Sequence, residues 1–191
     1  TVYNRGIGGQ NSRQGRARFE KDVVAAKPNY VFIYFGLNDA LNERALVPLD
    51  DYVKNLRWMI DRSRQASIVP VIATIHPVGE EALLKRHKRE TYGSEGPNGR
   101  LDRYNAAIRK LVKEEGVALA DFAAVVGKDG KAASQGSQDG ANCPALVSAD
   151  GVHLTPAGNR ALAQCFLAAV AGKLRAGQTI VCLGDSVTYG A

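Results

Sequence analysis

A chain of 191 residues with 45% hydrophobic and 23% charged residues is long enough to bury a continuous core in one compact domain spanning 1–191, and too balanced in composition for a disordered or membrane-embedded protein. No apolar run approaches the roughly 20 residues that cross a bilayer, no charged-then-apolar leader opens the chain, and the first residue is Thr1, which fits a processed or trimmed chain. The formal charge of +6 is dispersed apart from Lys85-Arg86-His87-Lys88-Arg89, a run that reads first as a solvated helix face or loop and second as a contact for an acidic ligand such as an anionic polysaccharide; no nucleic-acid-binding motif accompanies it.

In chain order, short β-rich apolar runs alternate with longer segments of helical period, the pattern of an α/β protein with a parallel sheet. A first strand at 2–3 runs into the glycine-rich Asn4-Arg5-Gly6-Ile7-Gly8-Gly9. A helix is expected over 13–26, with Ala17, Phe19, Val23 and Val24 on one face, broken by Lys27-Pro28-Asn29. The strand at 30–35 leads into Gly36-Leu37-Asn38-Asp39, and an amphipathic helix over 50–65 repeats Val53, Leu56 and Ile60. A strand at 68–75 precedes His76, 90–99 is irregular by its Gly and Pro content, and a helix over 102–115 stops at Gly116 before a strand at 117–119. The stretch 127–142 is again irregular. Asp150-Gly151-Val152-His153 follows, then a helix capped by Thr155 with Pro156 in its first turn and Ala161, Leu162, Cys165, Phe166, Ala169 and Val170 as its buried stripe. The last strand, 179–183, delivers Gly184-Asp185-Ser186.

Three cysteines cannot all pair. Cys182, inside the last strand, reads as a small core residue, whereas Cys143 and Cys165 are available for one disulfide if the protein is exported. With no Cys-x-x-Cys pair and only His76, His87 and His153 available, no metal site and no cofactor is expected.

A serine hydroxyl is a weak nucleophile until a neighbouring base takes its proton, and an imidazole suits that task because it can titrate near neutral pH. Ser186 follows an apolar strand directly and so sits at the strand's C-terminal end, where parallel α/β sheets keep their ligand crevices. Asp150, three residues before His153, can orient the ring across the turn at Gly151-Val152. The negative charge that develops on an attacked carbonyl needs fixed donors, and the Ser186 backbone N–H, the Gly9 backbone N–H and the Asn38 carboxamide are candidates. Taken singly each piece has a plainer reading: Gly184-Asp185-Ser186 a turn, Asn38-Asp39 a turn or helix cap, and Gly6-Ile7-Gly8-Gly9 a phosphate cradle, although it lacks the spacing and lysine that such cradles use. His76, Tyr189 and Arg5 are candidates to line the substrate pocket, with a packed structural role as the alternative for His76.

Together the four blocks resemble the SGNH hydrolases, or GDSL-type esterases: Gly184-Asp185-Ser186, Asn4 to Gly9, Gly36 to Asp39, and Asp150 to His153. The resemblance implies a flavodoxin-like three-layer α/β/α sandwich with a parallel sheet, nucleophile Ser186, base His153, orienter Asp150, and an oxyanion hole from Ser186, Gly9 and Asn38, with no metal or cofactor. The serine block, at 178–191, stands last instead of first, so the chain resembles a circular permutant of that family. Family members also carry a helix between the serine block and the strand before Asn4. Here that helix has no counterpart, so an apolar patch near Val2 and Val181 is expected, covered by an additional module, by a second chain, or left partly open.

The implied activity is hydrolysis of short acyl esters, O-acetyl groups on a carbohydrate above all, as in acetylxylan esterases, with a secreted or periplasmic location, a small acylated saccharide as the partner, and neither nucleic acid nor membrane. A lysophospholipase or aryl esterase is the runner-up, and a non-catalytic carbohydrate-binding module on the same fold is a third reading. The Asp, His, Ser order also raises subtilisin-like proteolysis, which the short Asp150–His153 interval argues against.

Overall fold

The computed structural model describes residues 1–127, 129–132 and 145–190. Cys143 and most of the expected irregular stretch 127–142 lie outside the described residues, and with them the suggested pairing of Cys143 with Cys165.

Five strands form one sheet: β1 (Val2–Gly6), β2 (Tyr30–Tyr34), β3 (Val69–Ala73), β4 (Ala118–Ala120) and β5 (Ile180–Gly184), in the order β1-β5-β2-β3-β4. Every pairing is parallel, and β5 inserts between β1 and β2 with Tyr3 beside Val181 and Phe32 beside Cys182. A sheet of this kind needs cover on both faces, and the apolar run of β2, buried along its whole length, is its centre.

The covering helices are α1 (Ser12–Ala17), α2 (Phe19–Asp22), α3 (Leu37–Leu41), α4 (Leu49–Gln65), α5 (Glu80–Leu84), α6 (Gly96–Glu115), α7 (Pro156–Ala169) and the short α8 (Ser186–Tyr189). Side chains alternate along β2: Phe32 stacks on Phe166 of α7, while Phe35, just beyond the strand, lies against Gly15 of α1, where a Cβ would collide with its ring. The long helices α4 and α6 pack on each other through Tyr52 and Tyr104. The α4 face that meets the core is Tyr52, Leu56, Met59, Ile60 and Ser63, with the expected Val53 at its flank.

Four expectations need correction. The helix read over 13–26 is broken at Arg18 into α1, α2 and a 3₁₀ turn at Val24–Ala26, because the Arg18 guanidinium turns inward to Gln10, Asp22 and the Gly184 carbonyl. The irregular stretch 90–99 is a 3₁₀ turn (Arg89–Glu95) followed by the first turn of α6, in which Pro97 takes an N-terminal position that suits its missing N–H. The apolar patch is real at Val2, which is 64% exposed, but Val181 is fully buried. Register aligns Val2 with Ile180 and Asn4 with Cys182, so the open groove is lined by Val2, Phe32, Leu162, Phe166, Leu167 and Cys182 beside α7. Cys182 is accordingly a half-buried groove residue and not a core one.

Candidate active site

All four motif blocks converge at the C-terminal end of the sheet. Ser186 is the first residue of α8, directly after β5, and the Asp185 side chain caps that turn by accepting from the Val187 N–H at 2.9 Å. Gly6 ends β1 beneath α8 with Tyr189 N so close that a Cβ at Gly6 would sit 2.2 Å from it. Gly184 is as tightly enclosed, by Thr188 and the Tyr34 carbonyl. Glycine at both strand ends lets α8 lie directly on the sheet's rim.

Asp150 and His153 sit on one turn. Asp150 Oδ1 accepts from Ser148 Oγ at 2.6 Å and from the backbone N–H groups of Val152 and His153 at 2.8 and 2.9 Å, and Oδ2 accepts from His153 Nδ1 at 2.5 Å. A carboxylate only accepts, so Nδ1 carries the proton and Nε2 presents its lone pair; Nε2 lies 3.0 Å from Ser186 Oγ, which donates to it. Burial opposes ionisation of Asp150, but the four bonds outweigh it and hold its carboxyl well below the usual carboxylate range. It therefore stays charged opposite the ring.

Ser186 and His153 open onto a cavity of about 280 Å³ lined by Gly9, Asn38, Asn42, Leu37, Leu41, Leu83, Val152, Arg86 and His87. The backbone N–H groups of Gly9 and Ser186 donate to nothing among the described residues. Gly9, with a φ of +74°, lines the cavity, and a Cβ there would meet no atom within 4 Å. The Asn38 amide is steered by the Gln10 carbonyl at 3.0 Å and Asp185 Oδ2 at 3.4 Å.

Two carboxyls lie buried behind this rim. Burial pushes Asp185 up to about 7 and Asp39 up to about 6, the latter despite two contacts from the Ser12 N–H. Asp39 thus ties α3 to the start of α1, and Asp185 ties α8 to Asn38.

Of the sequence candidates, Ser186, His153, Asp150, Gly9 and Asn38 are brought together, and the three pocket candidates are not. His76 is fully buried behind the site. Arg5 lies on exposed β1 over the Tyr3 ring, and Tyr189 projects outward, 64% exposed. Sequence reasoning missed the pocket's apolar wall and the role of the basic run: Arg86 and His87, set down first as solvated, reach the cavity from the end of α5. Among the described residues no cluster of His, Cys, Asp or Glu suited to a metal ion occurs, and no described helix is long and apolar enough to cross a membrane.

The chain is similar to several known proteins. The chain is 33% identical over 172 residues to the uncharacterized lipoprotein YqeF of Bacillus subtilis, covering 83% of this chain and 69% of that one. It is 28% identical over 173 residues to an acetylxylan esterase of Geobacillus stearothermophilus, covering 87% and 70%. Its fold superposes on a GDSL-like lipase of Bacteroides thetaiotaomicron with a TM-score of 0.69 at 24% identity, over 89% of this chain and 75% of the other. The model of the GDSL-like lipase/acylhydrolase family matches residues 1–161, and the chain belongs to that family of esterase hydrolases.

Proposed function

We propose that the protein is a serine esterase that removes short acyl groups, acetyl above all, from a carbohydrate. The observation that carries this reading is the unbroken relay from Asp150 through His153 to Ser186 at the mouth of a cavity bordered by unengaged N–H donors. Ser186 Oγ attacks the ester carbonyl carbon as His153 Nε2 takes its proton. The oxyanion is held by the N–H groups of Ser186 and Gly9 and by the Asn38 amide. Collapse breaks the ester C–O bond, His153 returns the proton to the departing alcohol, and water activated by the same ring releases the acid and regenerates Ser186. Asp150, kept ionised by its four bonds, stabilises the imidazolium in both halves.

The cavity is small, and its apolar wall of Leu37, Leu41, Leu83 and Val152 beside a polar rim of Asn42, Arg86 and His87 suits a short acyl chain and a polar alcohol. The acetylxylan esterase relative supports that choice of substrate, and the lipoprotein relative supports an exported protein. We read the strand order as a circular permutation: counted from β5, the sheet runs 2-1-3-4-5, the flavodoxin-like order, and β5 lies beyond the span that the family model matches.

The test compares chromogenic acetyl, butyryl and octanoyl esters with acetate release from acetylated xylan, using wild type and Ser186→Ala. Acetyl preference with fluorophosphonate labelling lost in Ser186→Ala is expected. Octanoyl preference would favour a lipid esterase, and an unlabelled wild type without turnover would leave a binding module.

A further inference from the structure

The loop that carries the acid–base pair is held from outside as well as by its own bonds. Its three consecutive carbonyls each accept a hydrogen bond from one short segment of chain: Asp150 O from Arg86 Nη2 at 2.6 Å, Gly151 O from the Gly79 N–H at 2.8 Å, and Val152 O from His76 Nε2 at 2.9 Å. The segment 76–86 thus cradles the Asp150–His153 loop from below, and a close approach of Gly79 to Gly151 leaves no space for a Cβ at Gly151.

The buried end of that cradle is the most constrained. A carbonyl only accepts, so His76 Nε2 carries the ring proton and Nδ1 is an acceptor; Tyr34 Oη donates to Nδ1 at 2.5 Å. Burial lowers His76 to about 4, against the opposing effect of the Val152 carbonyl, so the ring is neutral and its tautomer is set by its two partners. Tyr34 and Phe122 pack against the same ring. The backbone on either side of His76 is itself fixed by α6: Asn105 exchanges both its amide bonds with the N–H and carbonyl of Ile75, and Asn98 does the same with Val78. Two carboxamides, one imidazole and one phenol therefore form a continuous chain of contacts from α6 and β2 to the peptide bond joining Val152 to His153, buried at Asn105, His76 and Tyr34.

We propose that His76, with Tyr34 fixing its tautomer, is a positioning residue that sets the placement of His153 by holding the Val152 carbonyl. The proposal rests on the esterase reading of the same site for its kinetic consequence, but not for its structural one. A buried polar pair could have been replaced by apolar side chains at little expense; here its donor is aimed at the peptide next to the base, where a shift of about 1 Å lowers turnover about 100-fold.

The experiment uses wild type, His76→Leu, His76→Gln and Tyr34→Phe, each checked for folding by circular dichroism. A glutamine amide laid along the imidazole can still offer an N–H to the Val152 carbonyl, whereas leucine offers none. Expected for His76→Leu is a 10- to 100-fold loss in kcat on a chromogenic acetyl ester with little change in KM. Glutamine should recover most of that loss, and Tyr34→Phe should fall between the two. In parallel, the downfield proton NMR signal of His153 Nδ1–H, held against Asp150, should move or broaden in His76→Leu and stay in place in His76→Gln. A folded His76→Leu with wild-type kcat and an unmoved signal overturns the proposal; should that variant fail to fold, an unmoved signal and unchanged kcat in Tyr34→Phe overturn it instead. The NMR arm reads the cradle whether or not the protein turns over an ester. A wild type that neither hydrolyses nor reacts with fluorophosphonate overturns the esterase reading alone.

Discussion

Strands β1 and β2 both lead to the cavity at Ser186 and His153, and they arrive there in opposite condition. β2 is buried from end to end, with helices on both faces, and passes directly into the α3 turn that bears Asn38 and Asp39. β1 is exposed from Val2 to Arg5 and becomes buried only at Gly6, where α8 closes over it. The site therefore takes its rigidity from one strand along its whole length and from the other at a single residue. Burial at the rim, where N–H groups and carboxyls must be aimed, matters more than burial along the approach to it.

The largest test of that contrast is at the end of β2. Asn38→Ala removes the cavity-lining carboxamide proposed as an oxyanion donor and should lower kcat by about 10² to 10³, the loss found when one such donor is deleted, with KM little changed; steady-state kinetics on an acetyl ester measures it, and an unchanged kcat would leave the two backbone N–H groups as the only proposed donors. At the end of β1, Gly6→Ala forces a Cβ against the backbone of Thr188 and Tyr189, which cannot yield without shifting α8. A destabilisation of about 3 kcal/mol is expected from overpacking, together with loss of fluorophosphonate labelling, read by urea unfolding and probe capture.

Smaller, and confined to the buried rim, is a pH effect. Asp39 and Asp185, raised to about 6 and about 7 by burial, keep protons in the folded state that the unfolded chain has released, so each loses stability as pH rises above 4. His76, lowered to about 4, has the opposite sign: the unfolded ring binds a proton that the folded one does not, so its contribution grows with pH up to about 6.5. Asp150, held low, acts below this window. Two against one leaves a net fall of about 1.4 kcal/mol per pH unit between pH 4.5 and 6, and His76→Gln should roughly double it. Thermal melting across that range decides; a wild-type profile that rises by about 1.4 kcal/mol per pH unit would mean that neither carboxyl keeps its proton, His76 acting alone. The smallest effect belongs to the open part of β1, where Val2→Ala should change stability by less than about 0.5 kcal/mol, because that side chain is largely in solvent already.

Sequence pattern disclosed the strands, the helices α4 and α7 and the meeting of Ser186, His153, Asp150, Gly9 and Asn38, because these depend on local signals: apolar runs, a capping Thr155, an i to i+3 carboxylate and imidazole, glycines at strand ends. What it could not disclose was decided by distant partners. The break at Arg18 answers to Gly184, 166 residues away. His76, following a strand, reads as a packed residue before a pocket one, but its partners, Tyr34 and Val152, are set by distant segments. The uncovered face was foreseen, but the alternation that exposes Cys182 and hides Val181 depends on register with β1, which no single segment encodes.

The insertion of β5 between β1 and β2 has a consequence for synthesis. Among the described strands β1 pairs only with β5, and β2 keeps one edge bare until β5, far along the chain, has been made. The sheet's middle is filled last, by contacts of very long sequence separation, which predicts slow closure and a late, exposed intermediate inclined to stick to its neighbours. Ser186, the proposed nucleophile, directly follows that same closing strand, so the proposed site and the middle of the sheet are completed together.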